Sequence, residues 1–86
     1  MKKYKYIIPA GTGIWLRTDA IAHPHSRNGV YVEFITEQKM VFNESDLLVR
    51  GNLKRSNIAF FVFRLPKNNR GYNGFEVWED SVTVVK

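Results

Sequence analysis

The chain has 86 residues, a hydrophobic fraction of 44%, an aromatic fraction of 14%, no cysteine and a net charge of +5. These values describe one small folded domain, not a disordered tail. It has one core burying roughly 60–65% of the unfolded surface, which leaves no room for a deep cleft between subdomains. Without cysteine, disulfide staples and thiolate zinc sites are excluded. The surplus of Lys and Arg fits a polyanionic partner, an acidic protein face or colloidal solubility alone. The longest apolar run, Ile58–Phe63, is far short of a transmembrane helix. Met1-Lys2-Lys3 is basic, but Tyr4-Lys5-Tyr6 follows in place of an apolar stretch, so no signal peptide is expected and the location expected is cytoplasmic.

Residues 3–8, with Tyr4, Tyr6 and Ile8, read as a first strand, and Pro9-Ala10-Gly11-Thr12-Gly13 as a turn. Ile14-Trp15-Leu16-Arg17 is a second strand, joined to the first by a hairpin or a sharp bend. Asp19–Asn28 is irregular; Ala20-Ile21-Ala22 permits one helical turn before Pro24 stops it. Val30–Ile35 alternates clearly, with Val30, Val32 and Phe34 on one face and Tyr31, Glu33 and Ile35 on the other. Thr36-Glu37-Gln38-Lys39 is a polar turn, and Met40-Val41-Phe42 returns as the partner strand. Asn43–Asp46 is a helical or 3₁₀ turn of residues that bond local backbone, followed by the strand Leu47-Leu48-Val49. Arg50–Asn57 is a basic connection. Ile58–Leu65 is nearly continuous in apolar residues, hence a central strand covered on both faces. Pro66–Gly74 is a hairpin tip, Phe75–Trp78 returns, Glu79-Asp80-Ser81 turns, and Val82–Val85 is the last strand.

Phe42-Asn43-Glu44-Ser45-Asp46-Leu47-Leu48-Val49 aligns with Val77-Trp78-Glu79-Asp80-Ser81-Val82-Thr83-Val84. Both are strand, acidic turn, strand; the pattern is read as shared architecture, not as a duplicated function. Seven or eight short strands with turn signals between them predict an all-β barrel or sandwich. The run Val30-Tyr31-Val32-Glu33-Phe34, polar turn, Met40-Val41-Phe42, then Asn43-Glu44-Ser45-Asp46-Leu47, resembles the core hairpin of SH3-like small barrels, including Tudor-type and KOW-type modules. The resemblance covers about residues 29–49. The fold class expected is therefore a small SH3-like barrel or a two-sheet sandwich of about seven short antiparallel strands. Val32, Phe34, Val41, Leu47, Phe61, Phe63, Val77 and Val82 are its expected core.

No residue set carries a catalytic signature. His23 and His25 lack a sensibly spaced third ligand apart from Asp19. The carboxylate pairs Glu44/Asp46 and Glu79/Asp80 sit in turns. Ser26, Ser45, Ser56 and Ser81 lack a nucleophile-elbow context, and Gly11-Thr12-Gly13 is too short to cradle a phosphate. No enzyme, cofactor or metal is expected.

The basic residues say more. Arg50, Lys54 and Arg55 share one connection; Lys67 and Arg70 share a tip with Tyr72, whose ring offers a stacking surface; Lys2, Lys3 and Lys5 form a third group. Lys and Arg at tips reach phosphates, although loops are where charge normally goes. Trp78 lies between Glu76 and Glu79, on the face opposite Val77, and is the candidate exposed aromatic. The function expected is a non-enzymatic binding module. The leading partner is nucleic acid, held by Arg50, Lys54, Arg55, Lys67, Arg70 and Tyr72. The alternative is a small accessory protein of the phage or mobile-element type that docks on a host protein through Trp78 and Tyr72. Basic groups converging on one face would favour nucleic acid; basic groups scattered around an aromatic patch would favour a protein.

Overall fold

A computed structural model of the chain describes residues 3–26, 30–52, 59–66 and 70–86. Its strands are β1 (Lys5–Ile8), β2 (Gly13–Arg17), β3 (Tyr31–Ile35), β4 (Met40–Asn43), β5 (Leu47–Asn52), β6 (Ala59–Arg64), β7 (Gly74–Trp78) and β8 (Thr83–Val85). They form two antiparallel sheets, one of order β4-β1-β8 and one of order β3-β2-β7-β6-β5. The all-β expectation therefore holds, as two facing sheets. Among the described residues no helix is long and apolar enough to cross a membrane.

The chain changes sheet four times, and each change has a local cause. Between β1 and β2, Gly11 takes φ 82°, a conformation that suits glycine. Thr12 and Thr36 each donate a hydroxyl hydrogen bond to Pro9 O, at 2.6 and 2.8 Å, and Thr12 N–H donates to Thr36 Oγ1 at 2.9 Å. Gly11 N–H to Thr36 O and Thr36 N–H to Thr12 O complete the set. The β1–β2 corner is thus fastened to the β3–β4 corner, and the buried threonines are satisfied. The other two changes occur at the 3₁₀ turns Glu44–Asp46 and Glu79–Ser81, the aligned acidic turns of the sequence. Asn43 N–H donates to Asp46 Oδ2 at 3.1 Å in the first. Each turn lifts the chain from one sheet to the edge of the other, so the sequence similarity is a shared corner.

The sheets face each other across an aromatic core: Tyr6, Ile8 and Phe42 from the three-stranded sheet against Ile14, Phe61, Phe63, Phe75 and Val77. Phe63 is central, its ring centroid 5.0 Å from Phe42, 5.4 Å from Tyr6, 5.5 Å from Phe75 and 5.7 Å from Phe61. β6 lies between β5 and β7, with Phe61, Val62 and Phe63 all buried, as the unbroken apolar run implies. A register shift between Leu47 and Val49 sets two β5 residues against one of β6. Leu47 thereby packs on the main core, while Leu48 and Val49 join Ala20, Val62 and Phe60 on the other face.

Tyr6 carries a pH signature. Burial, then the hydrogen bond its hydroxyl donates to Glu44 Oε2 at 2.9 Å and the charge of that carboxylate, push the phenol up to about 12. The fold favours the neutral phenol. Its contribution is therefore complete below about pH 10, the unfolded value, and is lost as pH rises through about 12. Ultraviolet titration should find one tyrosine ionising near the upper end of that window. Stability should fall between the two pH values in the wild type and less steeply in Tyr6→Phe.

Several expectations are corrected. β3 and β4 are not partners: β3 pairs with β2 and β4 with β1. The polar turn at 36–39 carries the chain between sheets instead of closing a hairpin. β1 and β2 lie in different sheets, which is the sharp bend and not the hairpin of the two expected arrangements. Val32, Phe34 and Val41 are 40%, 42% and 51% exposed, not core. Val32 and Phe34 stand opposite Leu16 and Ile14 and face inward, but three strands are too narrow to cover the outermost of five. Val41 stands opposite Ile7, on the outer face of its sheet. Leu47 and Val82 are half-buried, while Phe61, Phe63 and Val77 are fully in the core. Arg50 belongs to β5, not to a loop.

Candidate edge and pocket for partner binding

The outer face of the five-stranded sheet is built around a buried cation. In β2, alternation turns Ile14 and Leu16 inward and Trp15 and Arg17 outward; in β7 it turns Phe75 and Val77 inward and Glu76 and Trp78 outward. Arg17 is 1% exposed. Its guanidinium donates to Asp19 Oδ1 at 3.2 Å, His23 O at 2.9 Å, Ser26 O at 2.6 Å and Pro24 O at 3.3 Å. It also lies 3.7 Å from Glu76 Oε2 and 5.5 Å from the centre of the Tyr31 ring. This one side chain folds residues 18–26 down over the sheet. The loop also packs Ala20 against β7, where a Cβ at Gly74 would collide with Ala20 and come within 2.7 Å of Phe63 O. His23 and His25 are exposed; what their segment supplies to the site is backbone carbonyls for Arg17.

Beside this cluster is a pocket of about 240 Å³ lined by Trp15, Tyr31, Phe60, Glu76, Val77 and Trp78. The two indoles meet edge to face with centroids 5.8 Å apart. Phe60 stands opposite Trp78 on one side and Gly51 on the other. A Cβ at Gly51 would come within 2.9 Å of the Phe60 ring, so the glycine lets that ring lie over it. Glu76, opposite both Trp15 and Val62, is 4% exposed.

On the inner side of the same sheet, Ile14, Leu16, Phe34, Met40, Leu65, Arg70 and Tyr72 line an apolar groove of about 400 Å³. Between the two depressions runs β3. It pairs in unbroken register with β2 over Tyr31–Ile35 and, among the described residues, with no strand on its other side.

The sequence-predicted site residues are divided among these places. Trp78 is half-buried in the aromatic pocket. Arg70 and Tyr72 line the inner groove. Arg50 lies elsewhere: it stands opposite Phe61, donates to Glu79 Oε1 at 2.8 Å, and shares a shallow depression with Tyr4, Tyr6 and Lys86. Arg50 and Arg70 line different depressions. Lys54, Arg55 and Lys67 lie outside the described residues. Sequence reasoning missed Arg17, Glu76 and the pairing of Trp15 with Trp78. The available signal was alternation, which puts these four on one face once β2 and β7 are neighbours. Comparison of the chain with protein-family models, curated proteins and solved structures finds no match.

Proposed function

We propose that the chain is a non-enzymatic binding module that takes an extended segment of a partner protein as an added strand along β3. The observation that carries this reading is the character of that edge. Protein sheets blunt their edges with brevity, bulges, Lys or Pro. β8 has three residues, β4 has four, and β5 carries a bulge and Arg50. β3 has five residues in regular register, with no Lys, Pro or bulge; it carries one charge, Glu33, and Val32, Phe34 and Ile35 are exposed along it. Strand addition supplies main-chain hydrogen bonds for affinity, and alternate side chains read the two faces for specificity. Here one face offers the apolar groove and the other the aromatic pocket.

A second copy of the chain fits this edge less well. The two-fold pairing that overlaps the whole strand sets Glu33 against its own copy, and like charges directly opposite are unfavourable. Nucleic acid is the other alternative. Of its expected contacts, Arg50 is already engaged with Glu79 and stands apart from Arg70 and Tyr72.

Affinity capture with wild type and Val32→Lys tests the proposal. Val32 is exposed, so the variant should stay within about 1 kcal/mol of wild-type stability while losing the captured protein. Nuclease treatment should leave capture by the wild type unchanged, and gel shifts with duplex, single-stranded DNA and RNA at about 50 mM salt should show no complex. Nuclease-sensitive capture or a salt-dependent shift would instead support the phosphate-binding reading, and equal capture by Val32→Lys would reject the β3 edge.

A further inference from the structure

The outer face of the three-stranded sheet has the wrong composition for contact with water alone. An antiparallel sheet with one face on the core normally turns polar side chains to solvent on the other. Here β1 turns Tyr6 and Ile8 inward and Lys5 and Ile7 outward. The register sets Val41 and Thr83 on either side of Ile7, and Asn43 and Val85 on either side of Lys5. Val41 is 51% and Val85 43% exposed, and Ile7 is half-buried between them. Single exposed aliphatic groups are ordinary, but three on adjacent strands make a patch. The charge on this face has one sign. Lys5 is on the middle strand. The same alternation brings Lys39, next before Met40, and Lys3, two residues before Lys5, to its borders, and all three are exposed. Among the described residues none of the three has an ion-pair or side-chain hydrogen-bond partner. The three strands carry no carboxylate. Glu44 is turned to the Tyr6 hydroxyl and Asp46 to the Asn43 N–H, and Glu37 lies outside the sheet in the turn before Lys39.

We infer that this face docks an acidic amphipathic helix of a protein partner, its apolar stripe laid on Val41, Ile7 and Val85 and the Asp or Glu of its flanks reaching Lys5 and Lys39. Three strands spaced about 4.8 Å apart make a face one helix diameter wide, roughly 10–12 Å. Charge complementarity selects the occupant. A second copy, docked on the same face, would set lysine against lysine. Nucleic acid would leave the aliphatic row unused, and among the described residues this face has neither an arginine for paired phosphate contacts nor an aromatic ring for stacking. A bilayer is entered by the apolar face of a protruding helix rich in Trp, Phe or Leu, whereas Ile7, Val41 and Val85 are short side chains within a sheet. The inference does not depend on strand addition at β3, which is an edge of the other sheet.

Backbone amide NMR shifts of the isolated protein test it, with a designed helical peptide of about 18 residues as the probe. The peptide has a leucine stripe flanked by glutamate. One companion peptide has lysine in place of glutamate, and another has alanine in place of leucine. With the acidic leucine peptide at high micromolar concentration, saturable shifts are expected at the amides of Lys5, Ile7, Val41, Asn43 and Thr83, with little change at Tyr31–Ile35. The affinity should fall as salt rises. The lysine peptide should not bind, and the alanine peptide should bind about tenfold more weakly. Lys5→Glu combined with Lys39→Glu, both at exposed positions, should reverse the preference between the glutamate and lysine peptides while the circular dichroism stays that of wild type, a reversal that partial unfolding would not produce. Equal binding of the two charged peptides, shifts confined to β3, or no shift on this face would overturn the inference. Duplex DNA or phosphatidylserine vesicles shifting the same amides more strongly than the acidic peptide would overturn it in favour of a phosphate-bearing partner.

Discussion

Replacing Arg17 with alanine is expected to destabilise the domain by about 3–5 kcal/mol, the range for breaking a buried ion pair from one side. A whole domain has roughly 5–15 kcal/mol, so the variant should be marginal. The loss has three parts. Asp19 and the nearly buried Glu76 keep their charges but lose the guanidinium that faces them. The carbonyls of His23, Pro24 and Ser26 lose a charged donor. Residues 18–26 lose the contact that holds Ala20 under β7. Urea unfolding checks this, with Arg50→Ala as the control. Arg50 also makes an ion pair, at 2.8 Å, but its side chain is 65% exposed, and pairs of that kind contribute about 0–1 kcal/mol. A similar midpoint for the two variants would show that the Arg17 cluster does not organise the outer face.

Phe63→Ala should cost a similar amount, about 3–5 kcal/mol, through lost transfer energy and the cavity left behind. Phe63 is fully buried and touches four other rings, two of them on the opposing sheet. The cavity would open between the sheets, where neither can collapse without moving a strand. Phe61, equally buried but with two ring contacts where Phe63 has four, should fall toward the lower end of the range. If Phe63→Ala unfolds at the wild-type urea midpoint, the facing of the two sheets across this ring is wrong.

The strands were legible because each is a short apolar or alternating run between strong turn residues. All eight are found near their expected positions, and the two acidic turns are both 3₁₀. Which strands pair was not legible. Met40-Val41-Phe42 follows Val30–Ile35 across a four-residue turn, which suits a hairpin as well as a change of sheet. The choice is made by the contacts among Pro9, Thr12 and Thr36 at a sequence separation no local pattern carries. The misplaced core follows from this. Alternation reports the face of Val32 and Phe34 correctly, but whether that face is covered depends on the width of the opposing sheet. The site suffered the same way. Charge at loop tips is conspicuous in a sequence, whereas Arg17 and Glu76 are single charges within apolar strands, and their partnership exists only once β2 lies beside β7.

Amide hydrogen exchange, compared between the free protein and its complex with the captured partner, tests the β3 edge most directly. Added strand hydrogen bonds slow exchange at the outward-facing amides of Tyr31–Ile35, while those of β5 around Arg50 and of the tip at Arg70–Tyr72 change little. Protection confined to β5 or to that tip, with β3 exchanging as in the free protein, would contradict strand addition and place the partner on the basic residues instead.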